Sequence, residues 1–194
     1  MTNSLARSGN ASSWRRGSRS RLALAAVSVG ALALTMGSAG AASADQAGQP
    51  HSIYVFPQGT SGPIACLDIL GGSAANGTPV QVYKCDFKSG TTASQTWTEV
   101  TGGSTVRSVV SGKCLDVVGG GKAAGTKVDM YTCNGTGAQV WERNAATATS
   151  AGTLYNPQSG KCLDVPNAAT SGVQLQIWNC TRSSNQIWEQ RFGK

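Results

Sequence analysis

An aspartate returns three times in the same setting: Cys66-Leu67-Asp68-Ile69, Cys114-Leu115-Asp116-Val117 and Cys162-Leu163-Asp164-Val165. A carboxylate is a strong acceptor for hydroxyl donors, and its use depends on what stands beside it. For the third aspartate the neighbour can be worked out. Val173-Gln174-Leu175-Gln176-Ile177-Trp178 alternates with period two, which predicts a half-buried strand. Val173, Leu175 and Ile177 then share the apolar face, leaving Gln174, Gln176, Trp178 and Cys180 on the other. In the preceding strand Leu163 and Val165 point inward, so Cys162 and Asp164 point outward. A bridge between Cys162 and Cys180 would hold the two strands within ~6 Å, Cα to Cα. Asp164 and Trp178 each lie two residues, about 6–7 Å, from a bridged cysteine and should flank one shallow patch. Such a patch suits a pyranose. The C–H face of the ring can lie on an indole, while its hydroxyls pair with a charged acceptor and with amides.

The elements that must position these groups come from a repeat. Cys66, Cys114 and Cys162 are 48 and 48 residues apart, and a second cysteine (Cys85, Cys133, Cys180) follows each after 19, 19 and 18 residues. Next come Gln95-Thr96-Trp97, Gln139-Val140-Trp141 and Gln186-Ile187-Trp188. Six cysteines allow about 15 pairings, and the repeat favours Cys66–Cys85, Cys114–Cys133 and Cys162–Cys180. Each such bridge would contribute roughly 3 kcal/mol by restricting the unfolded chain. Thr126-Lys127-Val128-Asp129-Met130-Tyr131 alternates like the third-repeat strand. Glycine-rich breaks at Gly71-Gly72, Asn76-Gly77 and Gly119-Gly120-Gly121 separate the strands. One repeat cannot bury its own apolar face, so three must pack around a shared axis.

The N-terminus reads as a leader. Arg7, Arg15, Arg16, Arg19 and Arg21 precede an apolar run from Leu22 to about Met36, and small residues lead to Ala42-Ser43-Ala44. This is the pattern of a secretory signal peptide over residues 1–44, followed by a domain over 45–194 with repeats at about 52–100, 101–144 and 145–193. The apolar run is short for a membrane span, which needs ~20 residues. Arg15-Arg16 fits twin-arginine export, whereas Arg19 and Arg21 interrupt the stretch where hydrophobicity should begin, so both export routes stand open. The chain's +7 charge includes those five arginines; the remaining 11 basic against 9 acidic residues give +2. A nucleic-acid partner loses its support with them. An even cysteine count in an exported chain reads as disulfides. No metal or cofactor is expected, since there is no Cys-x-x-Cys pair and His51 is the one histidine.

The three Cys-Leu-Asp-[Ile/Val] segments and three Gln-x-Trp motifs closely resemble the ricin-B-type lectin domains, found also as carbohydrate-binding modules of secreted actinobacterial proteins. The resemblance spans about residues 52–193. It implies an all-β fold, a β-trefoil with pseudo-threefold symmetry and one disulfide per repeat, with up to one sugar site in each. By resemblance Asp164, Gln176, Trp178, Asn185 and Gln186 occupy sugar-binding positions. Asp164 would take two ring hydroxyls, Trp178 would stack, Asn185 and Gln176 would add hydrogen bonds, and Gln186 would orient Asp164. The first repeat offers Asp68, Gln81, Tyr83 and Gln95, with Ser94 in place of Asn and four extra residues before Gln95. The second offers Asp116, Asp129, Tyr131 and Gln139. There Asp129 replaces Gln and Ala138 replaces Asn, so that site is altered. Trp97, Trp141 and Trp188 read as core. For the three aspartates, a structural hydrogen bond to nearby backbone is the competing reading.

Catalysis is not expected. A glycosidase places two carboxyls about 5–9.5 Å apart across one bond, whereas the repeated aspartates belong to different lobes. The other acids (Asp45, Asp86, Glu99, Glu142, Glu189) form no evident pair. There is no Gly-x-Ser-x-Gly motif. Two other readings are the detached module of a larger hydrolase and an inhibitory or other interaction trefoil that binds no sugar; the latter leaves the repeated Asp and aromatic residues unexplained. About 12 heavy atoms at roughly −0.3 kcal/mol each give a monosaccharide a millimolar Kd. The expected partner is therefore a polysaccharide or clustered glycan, galactose-type or a plant polymer such as xylan. The expected protein is an extracellular monomer with no membrane span once the leader is removed.

Overall fold

The computed structural model describes residues 48–87, 92–100, 104–145 and 151–192; the leader at 1–44 lies outside the described residues. Among the described residues are thirteen strands, four in each of the first two repeats and five in the third. They are β1 (His51–Val55), β2 (Ala65–Ile69), β3 (Thr78–Lys84), β4 (Trp97–Val100), β5 (Thr105–Ser108), β6 (Cys114–Val117), β7 (Val128–Tyr131), β8 (Glu142–Ala145), β9 (Gly152–Asn156), β10 (Lys161–Asp164), β11 (Val173–Gln174), β12 (Gln176–Trp178) and β13 (Trp188–Phe192). Among the described residues the helical segments are short 3-10 turns. None of the helices among these residues is long and apolar enough to cross a membrane.

The first and last strands of each repeat form a barrel. β1 pairs with β4 and β13, β4 with β5, β8 with β9, and β9 with β13. The bond from Trp141 N–H to the Ser104 carbonyl (2.6 Å) joins the remaining neighbours. The middle strands form three hairpins: β2–β3, β6–β7 and β10 with β12. A cyclic set of bonds ties the hairpins together. The N–H groups of Gly77, Gly125 and Gly172 donate to Met130, Ile177 and Val82 carbonyls of the next lobe, each at 2.8 Å. All three glycines have positive φ (+77°, +90°, +70°), which strains a residue bearing a Cβ.

The core fills in triplets, one member per lobe: Leu67, Leu115 and Leu163; Ile69, Val117 and Val165; Val82, Met130 and Ile177; Trp97, Trp141 and Trp188. The tryptophans are thus core, as the sequence predicts, at most 3% exposed. Their indole N–H groups donate to the Leu67, Leu115 and Leu163 carbonyls (2.9, 3.0 and 3.2 Å), which links each Gln-x-Trp motif to its Cys-Leu-Asp segment. The bridges are Cys66–Cys85, Cys114–Cys133 and Cys162–Cys180, with Cα–Cα distances of 5.0–5.1 Å. The all-β trefoil and the pairing within repeats agree with the sequence.

One strand is divided. The alternation over 173–178 predicts a single element, but Leu175 separates β11 from β12. Its N–H donates to the Val80 carbonyl (2.8 Å) and its carbonyl accepts from Val128 N–H (3.1 Å), so this residue pairs with the first and second lobes.

Candidate functional site

The hairpins repeat one cross-strand geometry. Asp68 stands opposite Gln81, Asp116 opposite Asp129, and Asp164 opposite Gln176. Two positions along the same faces, Cys66 stands opposite Tyr83, Cys114 opposite Tyr131, and Cys162 opposite Trp178. Diagonal neighbours on one face lie about 7–8 Å apart, within reach of long side chains. Each patch therefore holds an acid and an aromatic. Tyr83, Tyr131 and Trp178 are 49%, 43% and 42% exposed.

The aspartates depart from the expected picture. They lie on the face turned away from the barrel core, yet Asp68, Asp116 and Asp164 are buried, Asp164 to 3% exposure. The cause is the 3-10 turn before each Gln-x-Trp, which folds back over the hairpin. At Asp164, Oδ1 accepts from Gln176 Nε2 (2.9 Å), while Oδ2 accepts from Asn185 Nδ2 (2.7 Å) and Gln186 Nε2 (2.9 Å). A carboxylate has about four lone-pair sites, so three amides orient it and leave capacity for a hydroxyl. Its partners are side-chain amides, not the local backbone of the competing reading.

In the first lobe Gln81 Nε2 donates to Asp68 Oδ1 (2.9 Å) and Ser94 Oγ to Asp68 Oδ2 (3.0 Å). Ser94 thus does for Asp68 what Asn185 does for Asp164. In the sequence alone this serine stands out only as a missing asparagine. A cleft of about 690 Å³ opens here, lined by Asp68, Gly71, Gly72, Gln81, Tyr83 and Ser94 among others.

The second lobe differs in kind. Asp129 occupies the glutamine position, 8% exposed, and its buried Oδ1 has no hydrogen-bond partner. Burial, and then the charge of Asp116, push the Asp129 carboxyl up to about 6. Burial also raises Asp116, against a hydrogen bond from Gln139 that lowers it. These two acids form a carboxylate pair that the sequence does not disclose, since there Asp129 reads only as a replaced glutamine. Ala138 brings no polar atom to the cleft. The cleft measures about 560 Å³ and is lined by Asp116, Asp129, Tyr131, Asn134, Ala138 and Gln158 among others. Gln158 comes from the third lobe and donates to the Gly120 carbonyl (3.0 Å). Counted from Tyr54, Arg107 and Tyr155, which face the first cysteine of each lobe, Pro57 and Val110 stand at the corresponding positions, so this amide breaks the threefold pattern.

Gln95, Gln139 and Gln186 were all expected at the binding sites. The structure buries them (3%, 1% and 0% exposed) and uses them as clamps on the second cysteine of each lobe. Each Nε2 donates to the carbonyl before that cysteine, at Lys84 (3.2 Å), Thr132 (3.0 Å) and Asn179 (3.0 Å). Each Oε1 accepts from the N–H after it, at Asp86 (3.3 Å), Asn134 (2.8 Å) and Thr181 (2.8 Å). Gln95 and Gln139 therefore support their sites from beneath and do not face a ligand. Gln186 also holds Asp164, the role expected for it. Among the described residues no group of three or more His, Cys, Asp or Glu side chains is arranged to hold a metal ion.

Residues 59–189 match the family model of the ricin-type beta-trefoil lectin domain. A designed threefold-symmetric protein, ThreeFoil, is 26% identical with a TM-score of 0.64; the match covers 73% of this chain and 96% of that one. An exo-β-1,3-galactanase from Clostridium thermocellum is 26% identical with a TM-score of 0.64, over 74% of this chain and 30% of the enzyme. The agglutinin of Abrus precatorius is 26% identical with a TM-score of 0.61, over 75% of this chain and 49% of the agglutinin. The match thus spans about a third of the galactanase and about half of the agglutinin. A comparison with curated proteins finds no match.

Proposed function

The chain belongs to the ricin-type β-trefoil lectin family, and from that premise we propose that it is a secreted, non-catalytic lectin whose principal sugar site is in the third lobe. One observation carries this reading: the Asp164 carboxylate, fixed by three amides, lies diagonal to the half-exposed Trp178 indole. The acid accepts from vicinal hydroxyls and the indole covers the C–H face of the ring. Gln176 and Asn185 border the same place. The first lobe, with Tyr83, Gln81 and Ser94 around Asp68, is a second site of the same design. Secretion is supported by the leader pattern of residues 1–44 and by three disulfides, which persist in oxidising surroundings. The reading as a binder rests on the placement of the repeated aspartates, one to a lobe and none across a shared bond from another. A galactose-type sugar or a plant polysaccharide such as xylan is the proposed ligand class, bound by a monomer. The likeness to a galactanase agrees with the former.

Two sites on one rigid body favour a polymer, since linked sites can gain 10²–10⁴ in avidity over either alone. A panel of monosaccharides, glycans and polysaccharides tests the function. Saturable binding, tighter for the polymer than for its monomer, is expected. Inhibition of a protease with no sugar bound would replace this reading with the interaction trefoil.

A further inference from the structure

The second lobe keeps the scaffold of a sugar site and reverses its hydrogen-bond chemistry. In lobes one and three the aspartate faces an amide that donates to it, and a second side chain (Ser94 or Asn185) donates again. In lobe two the facing residue is another carboxylate, Asp129, and the second donor is replaced by Ala138. Acceptors thus face one another, and Asp129 Oδ1 is buried without a donor. A buried acceptor left unpaired is costly, and the residue that carries it lines an open cleft beside the exposed Tyr131 ring. The missing complement is a donor-rich, positively charged group. We propose that this cleft takes a hexosamine with a free amino group, its ammonium seated between Asp116 and Asp129 and its ring against Tyr131. The proposal rests on the lectin reading and names the ligand class of one of its sites.

An ammonium fits on three counts. It offers three donors and no acceptor, the counterpart of two carboxylates. An aromatic face attracts cations. No Lys or Arg lines the cleft to neutralise the pair. Lys113 is engaged with Asn76 and Thr132, and Lys127, two residues before Asp129, is exposed outside the lining. A divalent ion fits less well, because calcium takes 6–8 oxygen ligands and no third acidic or histidine side chain joins these two among the described residues. Nor does the pair have the layout of a glycosidase. Facing residues of adjacent strands share one wall of the cleft and do not bracket a bond held between them.

The interaction should depend on pH. The titratable side chains lining the cleft are Asp116 from β6, with Asp129 and Tyr131 from β7. The facing β3 residues Thr78 and Pro79, the turn Gly137–Gln139 and Gln158 add none. With Asp129 at about 6, its carboxyl is charged above neutrality and loses that charge towards pH 5.

Calorimetric titration of the protein expressed from the full chain tests this. The probes are a fully de-N-acetylated β-1,4-glucosamine tetramer, its N-acetylated counterpart, a neutral galactose-type sugar, and calcium alone. At pH 7 the free-amine tetramer should bind at least tenfold tighter than the acetylated one, and the margin should shrink at pH 5. Asp129→Gln, which restores the pairing of the other lobes, should abolish the margin; its thermal unfolding confirms that it folds. Trp178→Ala should weaken the neutral sugar and keep the margin. Equal affinities for the two tetramers, a margin that survives Asp129→Gln, calcium competing for the cleft, or cleavage of the tetramer would each overturn the proposal. If the tetramers tie while the neutral sugar still binds through Trp178, only this proposal fails. If no sugar binds at all, the lectin reading fails with it.

Discussion

Asp164 and Trp178 do different work, and substitution should separate them. Asp164→Ala strands the half-buried amides of Gln176 and Asn185 and the buried amide of Gln186, each of which donates to that carboxylate. It should therefore abolish sugar binding at the third-lobe site, leaving the first, and also lower stability by about 2–3 kcal/mol, measured by denaturant unfolding. Trp178→Ala removes an exposed indole and should weaken sugar binding roughly tenfold, with a stability change within about 0.5 kcal/mol. Asp129 carries the opposite sign. Its carboxyl is raised from 3.8 to about 6 on folding, so the folded state resists its ionisation and stability declines as pH rises through that window. Asp129→Gln should raise Tm by about 2–4 °C at pH 7, and calorimetry should find no gain at pH 4. At this scale strand alternation was informative, because it puts Asp164 and Trp178 on one face. It could not reveal how deeply the aspartates are buried. That depends on a turn returning from about 20 residues away, and the same turn makes Ser94 a partner of Asp68.

The three-part unit of Cys-Leu-Asp strand, bridged hairpin and Gln-x-Trp turn behaves as one element. The glutamine clamps the second cysteine and the tryptophan binds the leucine carbonyl, so each motif completes the other. Replacing Cys162 and Cys180 together by serine should cost about 3 kcal/mol. It should loosen the third-lobe site more than the first, which comparing sugar affinities of Trp178→Ala and Tyr83→Ala in that background would detect. Repeats and spacing made these units legible, since every lobe uses the same contacts. What they left out breaks the symmetry. Leu175 interrupts its strand where Val80 and Val128, at the same register in the other lobes, do not, and Gln158 closes a neighbour's cleft.

For the whole molecule, the lobes are joined by backbone bonds around the axis and by an ionic contact in the barrel. Glu99 of β4 pairs with Arg143 of β8 and approaches His51 of β1 at 3.8 Å, and Arg143 Nη1 also donates to the Trp188 carbonyl (2.9 Å). Burial raises the Glu99 carboxyl, but hydrogen bonds from His51 and Arg143 and the Arg143 charge outweigh it and hold the group at about 2 against 4.5. This contribution is complete above pH 4.5 and should be lost as pH falls from there towards 2. Glu99→Gln should therefore lower Tm at pH 7 and make little difference near pH 2, as thermal melts across that range would show. The first- and third-lobe sites ride on this rigid frame, which is the condition for avidity on a polymer. The claim on which the rest depends is that the third-lobe acid and indole hold one sugar ring. Two-dimensional ¹H–¹⁵N NMR during a sugar titration reads this directly through the four indole N–H signals of the domain. The Trp178 indole and the Gln176 and Asn185 amides should shift saturably, while Trp97, Trp141 and Trp188, hydrogen-bonded in the core, stay in place. A Trp178 signal that does not move as binding proceeds would contradict the account.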